Sequence, residues 1–316
     1  ERMPEVRQAL SFPLGHGVLE LATRRTIGKS LAGQYDQAIL LPNSLKSALV
    51  PFFAGIPKRT GWKGELRYGL LNDIRTLDKE RYPLMIERFM ALAFEPGAAL
   101  LAGRGALWLG TGRVYVGLLD DNGPAVDFAH PELMLRRAHA LPERLGALAV
   151  GPGLGTEGTS ASLLAAALGR NIPLLLDADA LNLSGADPVL KQTLAARMAP
   201  TVLTPHPAEA ARMLGTDTAS VQADRLHAAL DIAAQYKALV VLKGCGSIIA
   251  TPDGRWFING TGHPGMASAG MGDVLTGLIV GLLAQGWPAE SALIAGVHLH
   301  GAAADRLARE GIGPIG

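Results

Sequence analysis

From residue 113 onward, short apolar segments of strand length alternate with helical stretches that are rich in alanine and leucine. Most of these segments are apolar throughout, which is expected of strands whose two faces are both covered by helices. Their alternation with helices indicates a parallel sheet joined by crossover connections. We therefore predict an α/β fold for this part of the chain, with helices on both faces of the sheet. The predicted strands are Arg113–Gly117, Ala147–Val150, Pro173–Leu176, Thr201–Leu203, Leu239–Leu242 and Ser247–Ala250.

The glycine-rich segment Asn259–Asp273 lies directly before an apolar helix. The start of such a helix offers unpaired backbone N–H groups to an anion, and Gly270 and Gly272 allow a phosphate to approach the backbone closely. Asp273 would then be a carboxylate beside a phosphate site, able to take a proton from a hydroxyl that attacks a phosphoryl group. The alternative is a glycine-rich turn in which Asp273 is an ordinary N-cap.

A second glycine-containing segment, Lys243–Ser247, follows a predicted strand. Lys243 can pair with a phosphate, while Gly244 and Gly246 expose backbone donors. The alternative is a hairpin turn with a solvated lysine.

Polar residues also follow two other predicted strands. Two prolines hold His206 in an extended backbone before a helix, so its side chain is predicted to point into the cleft, although a lone histidine can equally be structural. Asp177 and Asp179 could hold a hydrated magnesium ion near phosphates, or could cap the helix that follows them.

Composition excludes several functional classes. The formal net charge of +1 argues against nucleic acid or an acidic membrane surface as the main partner, and aromatic residues, at 5%, are too few for base stacking. No apolar run reaches the length of a membrane helix. Cys245 is the only cysteine, which rules out an intrachain disulfide and agrees with a reducing cytosol.

The first third of the chain differs from the rest in composition. Residues 1–96 are polar at their start and rich in Arg, Lys and aromatic residues, whereas Ala, Leu and Gly dominate from about residue 98. We therefore predict two domains, 1–96 and 97–316. In the first, Ala38–Leu41 is a predicted strand and Arg59–Trp62 a predicted basic loop.

Five motifs of the second part occur in the order and approximate spacing of the NAD(P)H-hydrate dehydratase family. They are Gly151–Gly155, Asp177–Asn182, Thr204–Glu209, Lys243–Ser247 and Thr261–Gly277. The segment Val297–Asp305 also resembles the closing helix of that family. The resemblance covers residues 98–316 and implies a ribokinase-like α/β fold.

The resemblance also implies an activity, that of a cytoplasmic hydro-lyase. The family dehydrates NADHX and NADPHX, whose nicotinamide rings carry an added water, and the bacterial type couples this to ADP hydrolysis with Mg²⁺. Phosphorylation makes the ring hydroxyl a better leaving group, and its elimination restores NAD(P)H. The family also suggests self-association.

Site residues follow from the same resemblance, and none of them is a metal ligand. Asp273 matches the acidic residue at the hydrate and Gly272 the nucleotide-binding glycine beside it. Other substrate contacts match Ala98, Gly153 and His206. The nucleotide-binding segment matches Lys243, Gly244, Cys245, Gly246 and Ser247. Ala269 departs from the glycine common at its position.

The chain lacks the strand and glycine-rich loop with which the family opens, and its closing segment after Gly313–Gly316 is also shorter than expected. What precedes residue 98 is similar instead to ADP-heptose–lipopolysaccharide heptosyltransferase II, through Leu41–Pro57 and Arg59–Trp62 among other segments. This resemblance covers residues 1–95 and implies part of a Rossmann-like domain of the GT-B type, without that family's catalytic acid or donor-nucleotide domain. The chain is thus predicted to be a chimera of two bacterial enzyme fragments.

Several functions remain open on the sequence. Besides the dehydratase, the chain could be a ribokinase-like small-molecule kinase, because the anion loop and Asp273 would serve either reaction. It could also be an inactive nucleotide-binding chimera that binds ADP without turnover, and heptosyl transfer comes last. We further expect that the strand Ala38–Leu41 occupies the sheet edge left empty by the missing first strand.

Overall fold

The computed structural model describes residues 19–42, 44–65, 67–75, 97–119, 125–127 and 130–311. The chain divides into two compact units, Glu1–Glu95 and Pro96–Gly316, each with its own sheet or sheets.

The first unit is a small parallel α/β arrangement. Its three strands pair in the order β1-β2-β3, and both pairings are parallel. A 3₁₀ turn at Leu45–Ala48 leads into the second helix. In chain order the elements are α1 (Leu21–Ser30), β1 (Gln37–Leu40), α2 (Leu49–Phe53), β2 (Lys58–Trp62) and β3 (Asp73–Arg75).

Two expectations for this unit are wrong. Arg59–Trp62 is not a loop but most of β2, because Thr60 is buried in the sheet and its hydroxyl donates to Asp73 at 2.8 Å. The strand β1, predicted at Ala38–Leu41, does not complete the sheet of the second unit, because it pairs with β2 inside the first unit.

The second unit contains a six-stranded sheet in the order β11-β10-β9-β8-β7-β6. Its strands are β6 (Leu148–Val150), β7 (Leu174–Leu176), β8 (Thr201–Leu203), β9 (Leu239–Leu242), β10 (Ile248–Ala250) and β11 (Trp256–Ile258). The helices of this unit are α3 (Ala98–Trp108), α4 (Ser160–Leu168), α5 (Ala178–Ala186), α6 (Pro188–Ala195), α7 (Pro207–Leu214), α8 (Thr218–Ala223), α9 (Arg225–Tyr236), α10 (Met271–Ala284) and α11 (Ala289–Arg309).

Successive residues of the central strands enter opposite cores, as the alternation of side chains in a strand requires. In β7, Leu174 and Leu176 belong to one buried cluster, which also contains residues of α4 to α9. Leu175 belongs to a second cluster, formed with residues of α10 and α11. Helices therefore cover both faces of the sheet, which confirms the predicted α/β arrangement.

The sheet differs from the predicted one at its ends. β6 to β9 are parallel, but β10 and β11 are antiparallel to their neighbours. β10 is antiparallel because only the short Lys243–Ser247 segment joins it to β9, and a parallel connection needs a crossover of about a dozen residues. The predicted strand Arg113–Gly117 is β4 (Tyr115–Leu118), which pairs with β5 (Met134–Arg137) in a separate two-stranded sheet.

The helix α3 packs closely against α10 through glycine. A Cβ on Gly277 would lie 2.1 Å from the carbonyl oxygen of Ala102, and one on Gly105 would lie 2.8 Å from that of Val274. The absence of side chains at these two positions lets the helix backbones touch. Within the described residues, no helix is long and apolar enough to cross a membrane.

Candidate active site

The parallel strands β6 to β9 end at one edge of the sheet, and the sequence motifs follow directly from those ends. Backbone hydrogen bonds continue the sheet beyond the strands: Asp177 N–H donates to Val150 at 3.1 Å, and Thr204 N–H to Leu176 at 3.1 Å. Lys243 N–H donates to Pro205 at 2.8 Å. The residues after neighbouring strands are therefore held side by side, at the edge where open α/β sheets bind ligands.

Asp177 is the buried centre of this edge, with 1% of its surface exposed. Its Oδ1 accepts a hydrogen bond from Lys243 Nζ at 2.7 Å, and its Oδ2 accepts one from the Thr276 hydroxyl at 2.8 Å. It precedes α5 without making a side-chain cap bond. Asp177 is therefore at the N-cap position of α5, but its side chain does not cap the helix, because its oxygens bind one side chain that follows β9 and one that belongs to α10.

Lys243 lies among carboxylates. Its Nζ is 3.8 Å from Glu209 Oε2 in addition to its contact with Asp177, and a Cβ on Gly272 would lie 3.4 Å from it. Burial acts to lower the pKa of Lys243, but the charges of Asp177, Glu209 and Asp273 outweigh burial and raise the pKa. Lys243 is therefore a charged ammonium held against the start of α10, not the solvated lysine of the hairpin alternative.

Asp273 is in the first turn of α10, two residues after the helix begins. The residue at the N-cap position is Gly270, so the reading of Asp273 as an ordinary N-cap is wrong. Burial, and then the negative charge of Asp177, raise the pKa of Asp273 to about 7, although Lys243 opposes the shift. A carboxyl with a pKa near neutrality exchanges a proton readily at physiological pH, which suits a general base.

The Lys243–Ser247 segment forms the hairpin turn between β9 and β10. Gly244 and Gly246 have φ angles of 149° and 62°, which side chains rarely permit. Gly244 and Cys245 are exposed. The guanidinium of Arg225, at the start of α9, donates to Cys245 O at 2.6 Å.

His206 caps α7. Its Nδ1 accepts from the backbone N–H groups of Ala208 at 3.1 Å and Glu209 at 3.3 Å, and the Glu209 carboxylate accepts from the His206 N–H at 2.8 Å. Burial, with the charges of Lys243 and Arg212, lowers the pKa of His206 to about 4. The imidazole is therefore neutral and has a structural role, while 47% of the side chain remains exposed.

The two predicted substrate contacts at the other end of this edge lie together. A Cβ on Gly153, in the loop after β6, would lie 3.7 Å from Ala98 Cβ at the start of α3. Asp179 lies beside this loop, because its Oδ2 accepts from Gly155 N–H at 2.9 Å. The structure thus brings Ala98 and Gly153 together, and separately brings Lys243, Gly272 and the carboxylates of α7 and α10 together.

The described residues contain no group of three or more His, Cys, Asp or Glu side chains suited to hold a metal ion. Asp177 and Asp179, the candidate magnesium ligands, already accept hydrogen bonds from Lys243, Thr276 and Gly155. The side chains of this edge therefore do not fit a magnesium ion held by the protein itself. Exposed glycine backbone and the start of α10, by contrast, fit a phosphate group.

Two residues of the site were missed from the sequence. Thr276 is fully buried in α10 and binds Asp177, from which 99 residues separate it. Arg225 is 20 residues before the Cys245 carbonyl that it binds. Arg225 lies outside the five motifs. Thr276 lies within Thr261–Gly277, but its role was not predicted; its local signal is a hydroxyl three residues after Asp273 on an otherwise apolar helix.

Comparison with known proteins separates the two units. Residues 24–102 match the sequence model of glycosyltransferase family 9, the heptosyltransferases. The lipopolysaccharide heptosyltransferase 2 of Escherichia coli K12 is 66% identical over 97 residues, which are 30% of this chain and 28% of that protein. The chain therefore spans little more than a quarter of that relative's length, and the similarity confirms a heptosyltransferase-like fragment.

Solved structures resemble the larger unit. An ADP/ATP-dependent NAD(P)H-hydrate dehydratase from Bacillus subtilis, co-crystallized with ATP and Mg²⁺, has a TM-score of 0.60 and 34% identity, covering 70% of this chain and 79% of that one. A ribokinase-like superfamily protein from Enterococcus faecalis V583 has a TM-score of 0.56 and 27% identity, covering 67% and 75%. The predicted ribokinase-like fold is confirmed.

Sequence similarity gives the family of the larger unit. The ADP-dependent (S)-NAD(P)H-hydrate dehydratase of Neisseria meningitidis serogroup B is 47% identical over 214 residues, which are 66% of this chain and 72% of that protein. Residues 93–312, more than two thirds of the chain, match the sequence model of the NAD(P)H-hydrate dehydratases. The chain belongs to the NAD(P)H-hydrate dehydratase family.

Proposed function

We propose that residues 97–316 catalyse the ADP-dependent dehydration of (6S)-NADHX and (6S)-NADPHX to NADH and NADPH. The observation that carries this proposal is the position of Asp273. It is a carboxyl with a pKa of about 7, in the first turn of a helix that begins after a glycine-rich segment, with Gly272 and Lys243 beside it. Membership of the dehydratase family supplies the substrate and the nucleotide.

Asp273 acts as the general base in this reaction. The hydroxyl of the hydrated nicotinamide ring attacks the terminal phosphoryl group of ADP, and Asp273 takes the hydroxyl proton as the new O–P bond forms and the bond to AMP breaks. Elimination of the phosphate from one ring carbon, with loss of a proton from the neighbouring ring carbon to water, then restores the ring double bond. The raised pKa lets Asp273 accept the proton while remaining largely ionised just above neutral pH.

The phosphates of ADP bind at the start of α10 and along the Lys243–Ser247 turn, where Gly244 and Gly246 expose backbone and Gly272 lies against Lys243. The described side chains do not form a metal site, so Mg²⁺ would have to accompany the nucleotide, where it would supply positive charge to the phosphates. Asp177 and Glu209 already neutralise part of the charge of Lys243. Lys243 alone therefore cannot balance the negative charge of the ADP phosphates, and a cation bound to the nucleotide would supply the remainder.

The hydrated ring is held toward the other end of the sheet edge. Ala98 and Gly153 face each other there, and the exposed part of His206 lies between that end and Lys243 in the strand order. These three residues are proposed substrate contacts. Self-association and a cytoplasmic location stay predictions.

The test is recovery of NADH absorbance from NADHX by the full chain, with ADP and Mg²⁺, compared with Asp273→Asn. We expect ADP-dependent recovery that falls by about a thousandfold in the variant, because an amide cannot take the proton. The activity of the unsubstituted chain should rise with pH through about 7, as Asp273 ionises. A folded chain that binds ADP and gives no recovery would contradict the proposal and favour an inactive nucleotide-binding protein.

A further inference from the structure

The side chain of Arg225 forms hydrogen bonds with backbone carbonyl groups of the turn between β9 and β10. Its Nη1 donates to Cys245 O at 2.6 Å, and its Nη2 lies 3.3 Å from Leu242 O and 3.5 Å from Lys243 O. These carbonyls belong to the end of β9 and to the turn itself, so one guanidinium contacts the backbone at both ends of the Leu242–Cys245 segment. Arg225 is the first residue of α9, whose buried face is part of the main core, so the side chain projects from a fixed base.

The contacts with Arg225 determine where the amide groups of the turn point. In a planar trans peptide the carbonyl and the following N–H point in opposite directions. Because the carbonyls of Lys243 and Cys245 are turned toward Arg225, the N–H groups of Gly244 and Gly246 point away from it. The turn therefore has a carbonyl face bound to arginine and an amide face free of arginine, and the amide face is the one suited to an anion.

Glycine at position 244 is part of the same arrangement. The residue has a φ of 149°, and a Cβ placed on it would lie 2.7 Å from Arg225 Nη2. The guanidinium thus occupies the space that a side chain at position 244 would need. This close approach fixes the turn and the arginine relative to each other, as required of a preformed binding loop.

We infer that Arg225 is a positioning residue for the nucleotide: its guanidinium binds the carbonyl groups of the Lys243–Ser247 turn, and thereby orients the amide groups of Gly244 and Gly246 toward a phosphate of ADP. The inference rests on the proposed function, because it assumes that the nucleotide binds at this turn. Lysine cannot replace arginine in this role, since one ammonium does not present the planar fork that reaches several carbonyls at once.

Arg197 offers a matched control. It also binds three backbone carbonyls, those of Leu168, Arg170 and Ile172, but it precedes β8 and so lies at the edge of the sheet opposite to the site. Arg197→Lys therefore removes the same kind of contact without touching the nucleotide turn. We expect it to lower the melting temperature and leave ADP binding unchanged.

The experiment measures the Kd of ADP by titration calorimetry, and kcat and KM for ADP in the NADHX assay, for the full chain and for Arg225→Lys. We expect the Kd and KM to rise about tenfold in Arg225→Lys, with kcat at saturating ADP within about twofold of the unsubstituted chain. A second variant, Arg225→Gln, keeps one donor group and should behave in the same way if the lysine variant does not fold.

The outcomes distinguish the inference from the proposed function. Weaker ADP binding in the Arg225 variants and not in Arg197→Lys would support the inference, since a merely structural arginine would change only the melting temperature. Unchanged ADP binding in folded Arg225 variants would overturn it and leave the proposed dehydratase intact. If the unsubstituted chain binds no ADP, the proposed function is contradicted and the inference with it.

Discussion

Lys243 and Asp177, 66 residues apart in the chain, are joined by a hydrogen bond of 2.7 Å between Nζ and Oδ1. The second oxygen of Asp177 binds Thr276, three residues after Asp273 on α10. One buried carboxylate therefore ties the end of β9 to the helix that carries the proposed base. It also lies close enough to Asp273 to contribute to the raised pKa of that residue.

We predict that Asp177→Ala lowers the free energy of unfolding by about 2 kcal/mol, because it leaves the partly buried Lys243 ammonium without its nearest counter-charge. Lys243→Met removes the ammonium itself, so the double variant should be more stable than the sum of the two single effects predicts. Urea unfolding of the four proteins measures this coupling, which we expect to be about 1–3 kcal/mol.

The exposed ion pair between Arg255 and Glu290, at 2.6 Å, is the control for this cycle. Its side chains are 55% and 31% exposed, so water and salt screen the interaction and Glu290→Ala should change the free energy of unfolding far less than Asp177→Ala does. If the effects of Asp177→Ala and Lys243→Met on the free energy of unfolding simply add, the hydrogen bond between the two side chains contributes nothing measurable to stability.

The sequence allowed the main sheet of the second unit to be predicted because its central strands are apolar on both faces. β11 was not predicted, because it is a three-residue edge strand whose side chains are all exposed. Trp256–Ile258 therefore shows no alternation of apolar and polar residues that would indicate a strand. Arg59–Trp62 was predicted as a loop because its arginine and glycine are typical of an exposed turn. The burial of Thr60 depends on pairing with β3, which includes Asp73, 13 residues further along the chain, so no local pattern indicates it.

The place of the site was predictable, since polar and glycine-rich segments follow the parallel strands, but the partner of each side chain was not. A lysine after a strand binds a phosphate or a carboxylate equally well, and the choice of Asp177 depends on the order of strands in the sheet. The capping role of His206 had a local signal, the glutamate three residues later, although histidine is not among the favoured caps.

We predict that the stability contributed by His206 depends on pH. The folded pKa of about 4 lies below the usual 6.5, so this contribution is full above pH 6.5 and is lost as the pH falls toward 4. At pH 7.5, His206→Ala should lower the free energy of unfolding by about 1 kcal/mol through loss of the α7 cap. At pH 5 the deficit should be smaller, as measured by urea unfolding at the two pH values.

The variant His206→Asn separates capping from titration. Asparagine keeps an acceptor for the N–H groups of Ala208 and Glu209 and does not ionise. It should match the unsubstituted chain at pH 7.5 and exceed it in stability at pH 5. An equal deficit of His206→Ala at both pH values would show that the histidine does not need to be neutral in the folded chain.

The close approach of α3 and α10 gives a prediction that links packing to activity. In Gly277→Ala the new methyl carbon would lie 2.1 Å from the Ala102 carbonyl oxygen, so the two helices must separate. We expect a loss of about 2–3 kcal/mol in the free energy of unfolding, because neither backbone can move without opening the core between them. Asp273 lies one turn earlier on the same helix, so the rate of NADH recovery should fall as well.

Gly112→Ala is the matched control, since no atom lies within 4 Å of its added Cβ and its backbone has no positive φ. Its free energy of unfolding should stay within about 0.5 kcal/mol of the unsubstituted chain, and its activity should be unchanged. If Gly277→Ala were as stable as Gly112→Ala, the backbones of α3 and α10 would have to lie further apart in solution than the contact between Ala102 and Gly277 shows. A stable Gly277→Ala with reduced NADH recovery would instead show that α10 shifts as a rigid body and carries Asp273 away from the nucleotide.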